Sequence, residues 1–109
     1  MANAYKVLGQ LASTTSAVAL YTCPSATEAV ISTITVCNRA AAAKTYKIIL
    51  RPNDEALADK HYLAYDVAIA ANDTTALTLG ITMDATDKLY VSASDTNLSF
   101  TAFGSEITA

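Results

Sequence analysis

Apolar and polar residues alternate along most of the chain. Val30, Ile34 and Val36 share one parity within residues 28–38, and the segments 44–51, 87–94 and 97–104 repeat the pattern. Because successive side chains of a strand point to opposite faces, this alternation predicts strands with one buried face. Fifteen threonines and six tyrosines favour the same structure. The pattern predicts eight strands, at residues 4–9, 17–23, 28–38, 44–51, 61–69, 74–80, 87–94 and 97–104.

Turn residues separate these strands. Pro24 lies within residues 23–27 and predicts a hairpin between the second and third strands, because proline fixes φ and lacks an N–H donor. Asp95 and Thr96 predict a tight hairpin between the last two strands. Eight short strands at this spacing predict one domain, residues 1–109, folded as an antiparallel β-sandwich of the jelly-roll or immunoglobulin-like type.

One segment departs from the alternation. Asn53 suits a helix N-cap, and Asp54 and Glu55 follow it where the helix dipole favours negative charge. Residues 56–58 are good helix formers. The sequence therefore predicts one short helix near 54–60 that plugs an end of the sandwich, with Leu57 facing inward.

The apolar parity of each strand predicts the core. Its expected members are Val30, Ile34, Val36, Tyr46, Ile48, Leu50, Leu77, Leu79, Leu89, Val91, Leu98 and Phe100.

Two cysteines, Cys23 and Cys37, are predicted to remain free thiols. If residues 24–27 close a hairpin, Cys23 lies opposite residue 28 and Cys37 lies roughly nine positions further along the ladder, at about 3.3 Å per residue. A disulfide tolerates a Cα separation of only about 7 Å. Free thiols fit a chain that folds in a reducing cytosol.

The charge and the apolar content of the chain argue against two classes of partner, nucleic acids and membranes. A net charge of −3 and a pI of about 4.8 argue against nucleic-acid binding. No apolar run approaches the roughly 18 to 20 residues of a membrane span. Charged residues make up 16% of the chain, against about 25% in typical soluble domains. The outer faces are expected to carry Thr, Ser and Ala, which suits burial against other copies or partners.

No residue pattern points to catalysis, a metal or a cofactor. His61 has Asp59 and Asp66 nearby in sequence, but its position suits the end of the short helix. Asp73, Asp84 and Asp87 could gather around Ca²⁺, although turn formation explains them better. We therefore expect a protein that is not an enzyme and has no catalytic, cofactor-binding or metal site.

Several segments together resemble small virion structural proteins of tailed phages, of the marine and cyanobacterial-phage type. The segments are 5–10 (YKVLGQ), 30–38 (VISTITVCN), 48–52 (IILRP), 60–62 (KHY), 77–82 (LTLGIT) and 103–107 (FGSEI). The resemblance covers nearly the whole chain. It implies a location in the virion, with assembly in the host cytoplasm, and a function carried by the surface in multiple copies.

Three hypotheses follow. The leading one is a capsid decoration or cement protein that binds and stabilises the assembled shell of major capsid protein, as a homo-oligomer with a trimer favoured. The second is a tail or fibre-base component that contacts other virion proteins. The third, of another class, is a virion-surface carbohydrate-binding module. Its aromatic platform would have to come from Tyr5, Tyr21, Tyr62, Tyr65 and Tyr90.

Overall fold

Eight antiparallel strands form two four-stranded sheets in the computed structural model, which describes residues 2–108. The strands are β1 (Ala2–Ala12), β2 (Val18–Thr22), β3 (Thr27–Asn38), β4 (Lys44–Arg51), β5 (Tyr62–Ile69), β6 (Thr74–Met83), β7 (Lys88–Ala93) and β8 (Leu98–Thr108). All eight predicted strands are present, and β1, β6 and β8 extend beyond their predicted bounds. No helix within residues 2–108 is long and apolar enough to cross a membrane.

The strand order decides between the two predicted types of sandwich. The first sheet has the order β1-β8-β3-β6 and the second has the order β2-β7-β4-β5. Consecutive strands therefore alternate between the sheets, except for β4 and β5, which are neighbours in the second sheet. This order is that of the eight-stranded jelly roll.

Both predicted hairpins are wrong. Residues 23–27 and 94–97 carry the chain from one sheet to the other, because β2 pairs with β7 and β8 pairs with β1 and β3. Cys23 bonds through its backbone to Thr86 and Asp87, on the connection between β6 and β7. The prediction of free thiols is nevertheless confirmed, with Cys23 buried and Cys37 partly exposed.

The predicted helix near 54–60 is also wrong. Two short 3-10 turns, Pro52–Asp54 and Asp59–His61, stand in its place. Asn53 and Asp54 have φ angles of 54° and 52°, which lie in the left-handed region and cannot continue a right-handed helix. Leu57 is 50% exposed and does not plug the sandwich.

Most of the predicted core is confirmed. Of the twelve residues, the fully buried ones are Ile34, Val36, Tyr46, Ile48, Leu89, Val91, Leu98 and Phe100, and Leu50 and Leu77 pack partly buried against them. The prediction is wrong for Leu79, which is 46% exposed. It is also wrong for Val30, because the neighbouring Ile31 is buried in its place. The inward positions of β3 change from odd to even numbers at Ser32, where the register shifts. This β-bulge explains the error at Val30. Leu79 lies where β6 itself is irregular, because residues 79–80 together oppose Ser32 and Gly80 has a φ angle of 62°.

The register shifts of the first sheet lie side by side. Leu8 is the extra residue of β1 against β8, Ser32 is the extra residue of β3 against β8, and residues 79–80 of β6 oppose Ser32 alone. All three glycines of the chain, Gly9, Gly80 and Gly104, stand at these shifts. A line of bulges therefore crosses the whole sheet.

Polar side chains connect the two sheets near β1 and β2. The Tyr21 hydroxyl of β2 donates to Glu106 of β8, and Lys6 of β1 forms an ion pair with the other Glu106 oxygen at 2.6 Å. The hydrogen bonds from Lys6 and from Tyr21 lower the pKa of Glu106. Burial, together with the bond to Glu106, raises the pKa of Tyr21, which keeps its hydroxyl a donor.

Candidate interaction surface

The outer face of the first sheet consists of rows of directly paired residues that cross β1, β8, β3 and β6. Paired residues lie on the same face of a sheet, so each row can be followed from strand to strand. We call this surface the Thr-rich face. Its rows are Asn3-Ile107-Glu28, Tyr5-Ser105-Val30-Thr82, Val7-Phe103-Thr33-Thr78, Gln10-Thr101-Thr35-Ala76 and Ala12-Ser99-Cys37-Thr74.

The Thr-rich face is almost without charge. Glu28 is the one charged residue in its rows, among the residues that the structure describes. The Arg39 guanidinium reaches the face at one end, where it donates to the Ser99 hydroxyl at 2.9 Å. Large apolar side chains are open to solvent on this face: Tyr5 is 82% exposed, Val7 47% and Phe103 39%. A continuous surface of this kind is typical of an interface, because charged residues are depleted from interface cores.

The outer side of the second sheet has the opposite character. Lys47, Arg51 and Lys88 lie along β4 and β7, each in an ion pair with Asp54 or Asp66. The composition predicted outer faces with few charged residues. In the structure this holds for the outer face of the first sheet, whereas the second sheet carries charged pairs on its outer side.

The size of the Thr-rich face sets the strength of contact it can make. With strands about 4.8 Å apart and a rise of about 3.3 Å per residue, it measures roughly 20 by 30 Å, or about 600 Å². A standard interface buries about 800 Å² on each partner. One copy of the face therefore provides a weak to standard contact.

His61 stabilises the connection between β4 and β5. It is buried, its Nδ1 accepts the Ala58 N–H at 3.0 Å, and its Nε2 bonds Glu55 at 3.1 Å. The bond from His61, with the neighbouring Lys60 charge, lowers the pKa of Glu55. Asp66, expected near His61, pairs with Lys47 instead. Both ring nitrogens of His61 are thus engaged in holding residues 55–61.

The three aspartates considered for Ca²⁺ do not come together. Asp73 precedes β6 whereas Asp84 and Asp87 follow it, so the length of a strand separates them. Asp87 accepts the backbone N–H groups of Asp84 and Asn53, which fixes a turn. Within residues 2–108, no three His, Cys, Asp or Glu side chains are grouped as metal ligands.

The five tyrosines considered for a carbohydrate platform are dispersed, apart from one pair. Tyr21 is buried, Tyr5 lies on the Thr-rich face, and Tyr90 stacks with Arg51 at 4.6 Å. Tyr62 and Tyr65 contact each other edge to face, with ring centroids 4.9 Å apart. Residues three positions apart lie on opposite faces of a regular strand, and the shifts in register along β5 bring these two together.

Comparisons with known proteins support the fold. No protein-family model matches the sequence, and no curated protein matches it significantly. Among solved structures, the chain is similar to a chain in "Structure of infectious bursal disease virus Gx strain", with 14% sequence identity and a TM-score of 0.53. The match covers 96% of this chain and 31% of the viral chain, so the protein spans about a third of that chain's length. At this identity the similarity shows that the two chains share a fold. In this protein that fold is a jelly roll, and one of its two outer faces is nearly uncharged.

Proposed function

We propose that this protein is a virion structural protein that decorates and stabilises the capsid of a tailed phage. In this proposal the Thr-rich face binds the assembled shell of major capsid protein. The observation that carries the proposal is the Thr-rich face itself, since four strands present five paired rows to solvent with Glu28 as their only charge. The shared fold with a chain of a virus structure supports it.

Multiple copies would make such a contact strong. A face of about 600 Å² is at the lower end for a specific interface. A homo-oligomer, with a trimer as the favoured state, would touch several capsid subunits at once and gain effective concentration. Selective binding to the assembled shell would then stabilise the shell by mass action. Light scattering of the free protein tests the oligomer, and a monomer mass at high concentration would contradict it.

The copy number in purified virions tests the position in the particle. Quantitative mass spectrometry should give a number of copies comparable to that of the major capsid protein. A number that fits only a single ring would place the chain in the tail or fibre base, and the decoration function would be abandoned.

A pair of matched variants tests the face. Thr78→Lys adds a charge to an exposed position of β6, on the Thr-rich face, and Ala68→Lys adds the same charge to exposed β5, on the other sheet. Both are edge strands, where lysine is well tolerated. When protein is added back to particles that lack it, co-sedimentation should show binding reduced at least tenfold for Thr78→Lys and unchanged for Ala68→Lys. Equal binding by both variants would exclude the Thr-rich face as the contact.

A further inference from the structure

An open cleft of about 370 Å³ lies beside β5 and is lined by Asp59, Tyr62 and Tyr65. Its volume is within the range of about 300–1,000 Å³ that small-molecule sites occupy. Tyr65 is 61% exposed, so its ring is available to a ligand. The cleft belongs to the second sheet and shares no residue with the Thr-rich face.

An irregular edge strand positions the two tyrosines. Tyr65 and Asp66 together lie opposite Lys47, because the pairing passes from Tyr46↔Val67 to Ile48↔Ala64. Asp66 has a φ angle of 51°, which is unusual for a residue with a side chain. Bulges of this kind redirect side chains and occur often beside binding sites.

The cluster fixes the exposed ring in place. Lys47 Nζ lies 4.7 Å from the centroid of the Tyr65 ring and 2.5 Å from Asp66 Oδ1. The Tyr62 ring meets the Tyr65 ring at 86°. A ligand would therefore meet a preorganised aromatic surface, which reduces the entropy lost on binding.

We propose that this cleft binds a neutral carbohydrate. An aromatic ring provides an apolar surface for the C–H groups of a sugar, and a carboxylate accepts hydrogen bonds from its hydroxyls. Asp59 is exposed and has no hydrogen-bond or ion-pair partner among residues 2–108, so its oxygens are open to those hydroxyls.

The charges at the cleft select against anionic ligands. The free Asp59 carboxylate repels anionic sugars, and Asp66 already neutralises Lys47. The Lys47 ammonium already lies over the Tyr65 ring, which leaves less of that ring for a cation–π contact with a ligand, whereas the Asp59 carboxylate would attract a cation. A cationic probe therefore separates binding by charge from binding of a neutral saccharide.

Saturation-transfer NMR tests the proposal with the methyl glycosides of glucose, galactose, mannose and N-acetylglucosamine, and with choline chloride as a cationic probe. At least one glycoside should receive saturation on its ring protons. Tyr65→Ala should weaken its binding at least tenfold, whereas Tyr65→Phe, which keeps the ring, should bind. Leu63→Ala is the matched control, because Leu63 is a 45% exposed apolar residue of the same strand that does not line the cleft.

Three results would overturn the proposal: no transfer to any of the glycosides, equal binding by Tyr65→Ala and the original protein, or binding of choline alone. If Tyr65→Ala does not fold, Asp59→Ala replaces it, because Asp59 lies in an exposed turn. Asp59→Ala should then weaken the binding of the same glycoside, and unchanged binding would contradict the proposal. Particle binding is measured separately, so either function can fail without the other.

Discussion

Glu106 connects the two sheets although its side chain is only 11% exposed. It accepts from Tyr21 of the second sheet and pairs with Lys6 of its own sheet. A buried carboxylate is stable only when its oxygens are paired and bonded in this way. Alternation along the strands assigned Tyr21 to one strand and Glu106 to no strand, so the sequence did not predict this contact.

The Glu106 contacts make stability depend on pH. Because its pKa is lower in the folded protein than the usual 4.5, its contribution is complete above that value and is lost as pH falls through the lower, folded pKa. Glu106→Gln should be less stable than the original protein by about 1.5–3 kcal/mol at pH 7, since it loses charge-assisted hydrogen bonds. Urea unfolding at pH 7 and pH 3 should show this difference shrinking at the lower pH.

The control is Glu28→Gln, which changes an exposed glutamate of the same sheet. It should alter stability by less than about 0.5 kcal/mol at pH 7. A Glu106→Gln deficit of the same size at both pH values would show that the carboxylate charge is not responsible.

At the scale of the elements, the strands were predictable and their irregularities were not. Period-two alternation is clearest in β3, β4, β7 and β8, whose inward side chains are buried. In β1 no residue within 3–12 is buried, and turn residues together with spacing had to define such strands. Alternation could not locate the bulge at Ser32, since an extra residue in a strand is defined by the neighbouring strands, which lie far away in sequence. For the same reason the turn residues Pro24, Asp95 and Thr96 predicted hairpins at connections that cross between the sheets. The connection 52–61 failed differently: its residues favour a helix, but left-handed angles at Asn53 and Asp54 interrupt it.

The line of bulges should be sensitive to a single methyl group. A Cβ at Gly104 would lie 1.9 Å from the Val30 carbonyl oxygen, so Gly104→Ala must displace backbone. We expect a loss of about 1–3 kcal/mol in the free energy of unfolding, as for other overpacked sites. Thermal and urea unfolding measure it.

Gly80→Asn is the matched control for Gly104→Ala. Gly80 has a φ of +62° but no atom within 4 Å of an added Cβ, and asparagine tolerates that conformation. Its stability should stay close to that of the original protein. Equal losses at both glycines would mean that strain along the bulges, and not the close approach to Val30, decides stability.

At the scale of the whole molecule, the composition indicated that part of the surface carries few charges, but it did not indicate which sheet presents that surface. Only the pairing of distant strands collects Thr33, Thr78 and Thr101 on one face. The lysines of β4 and β7 and Arg51 lie on the other sheet. The tyrosine cleft required the same information, because bulges in β5 set its geometry.

The two cysteines report on the fold and on the Thr-rich face. Cys37 is partly exposed in that face, whereas Cys23 is 1% exposed, donates to the Thr27 carbonyl oxygen at 3.3 Å and has a pKa raised by burial. Iodoacetamide should modify Cys37 in the folded protein and Cys23 only after unfolding, as mass spectrometry of peptides can show. Attachment to particles should slow the reaction of Cys37.

Without reductant, denatured protein should yield two thiols per chain. A count near zero would reveal a disulfide, and similar rates at both cysteines in the folded protein would contradict the burial of Cys23.

The central position of β8 has a consequence for synthesis. β8 lies between β1 and β3, and β1 pairs in this sheet with β8 alone. A ribosome makes the chain from β1 onward, so the strand that joins the first sheet leaves the exit tunnel after the other seven. Until β8 has been made, β1 has no strand to pair with in this sheet, and the Thr-rich face does not exist as a continuous surface. Translation therefore delays the formation of this surface, and any assembly that depends on it, until β8 has been made.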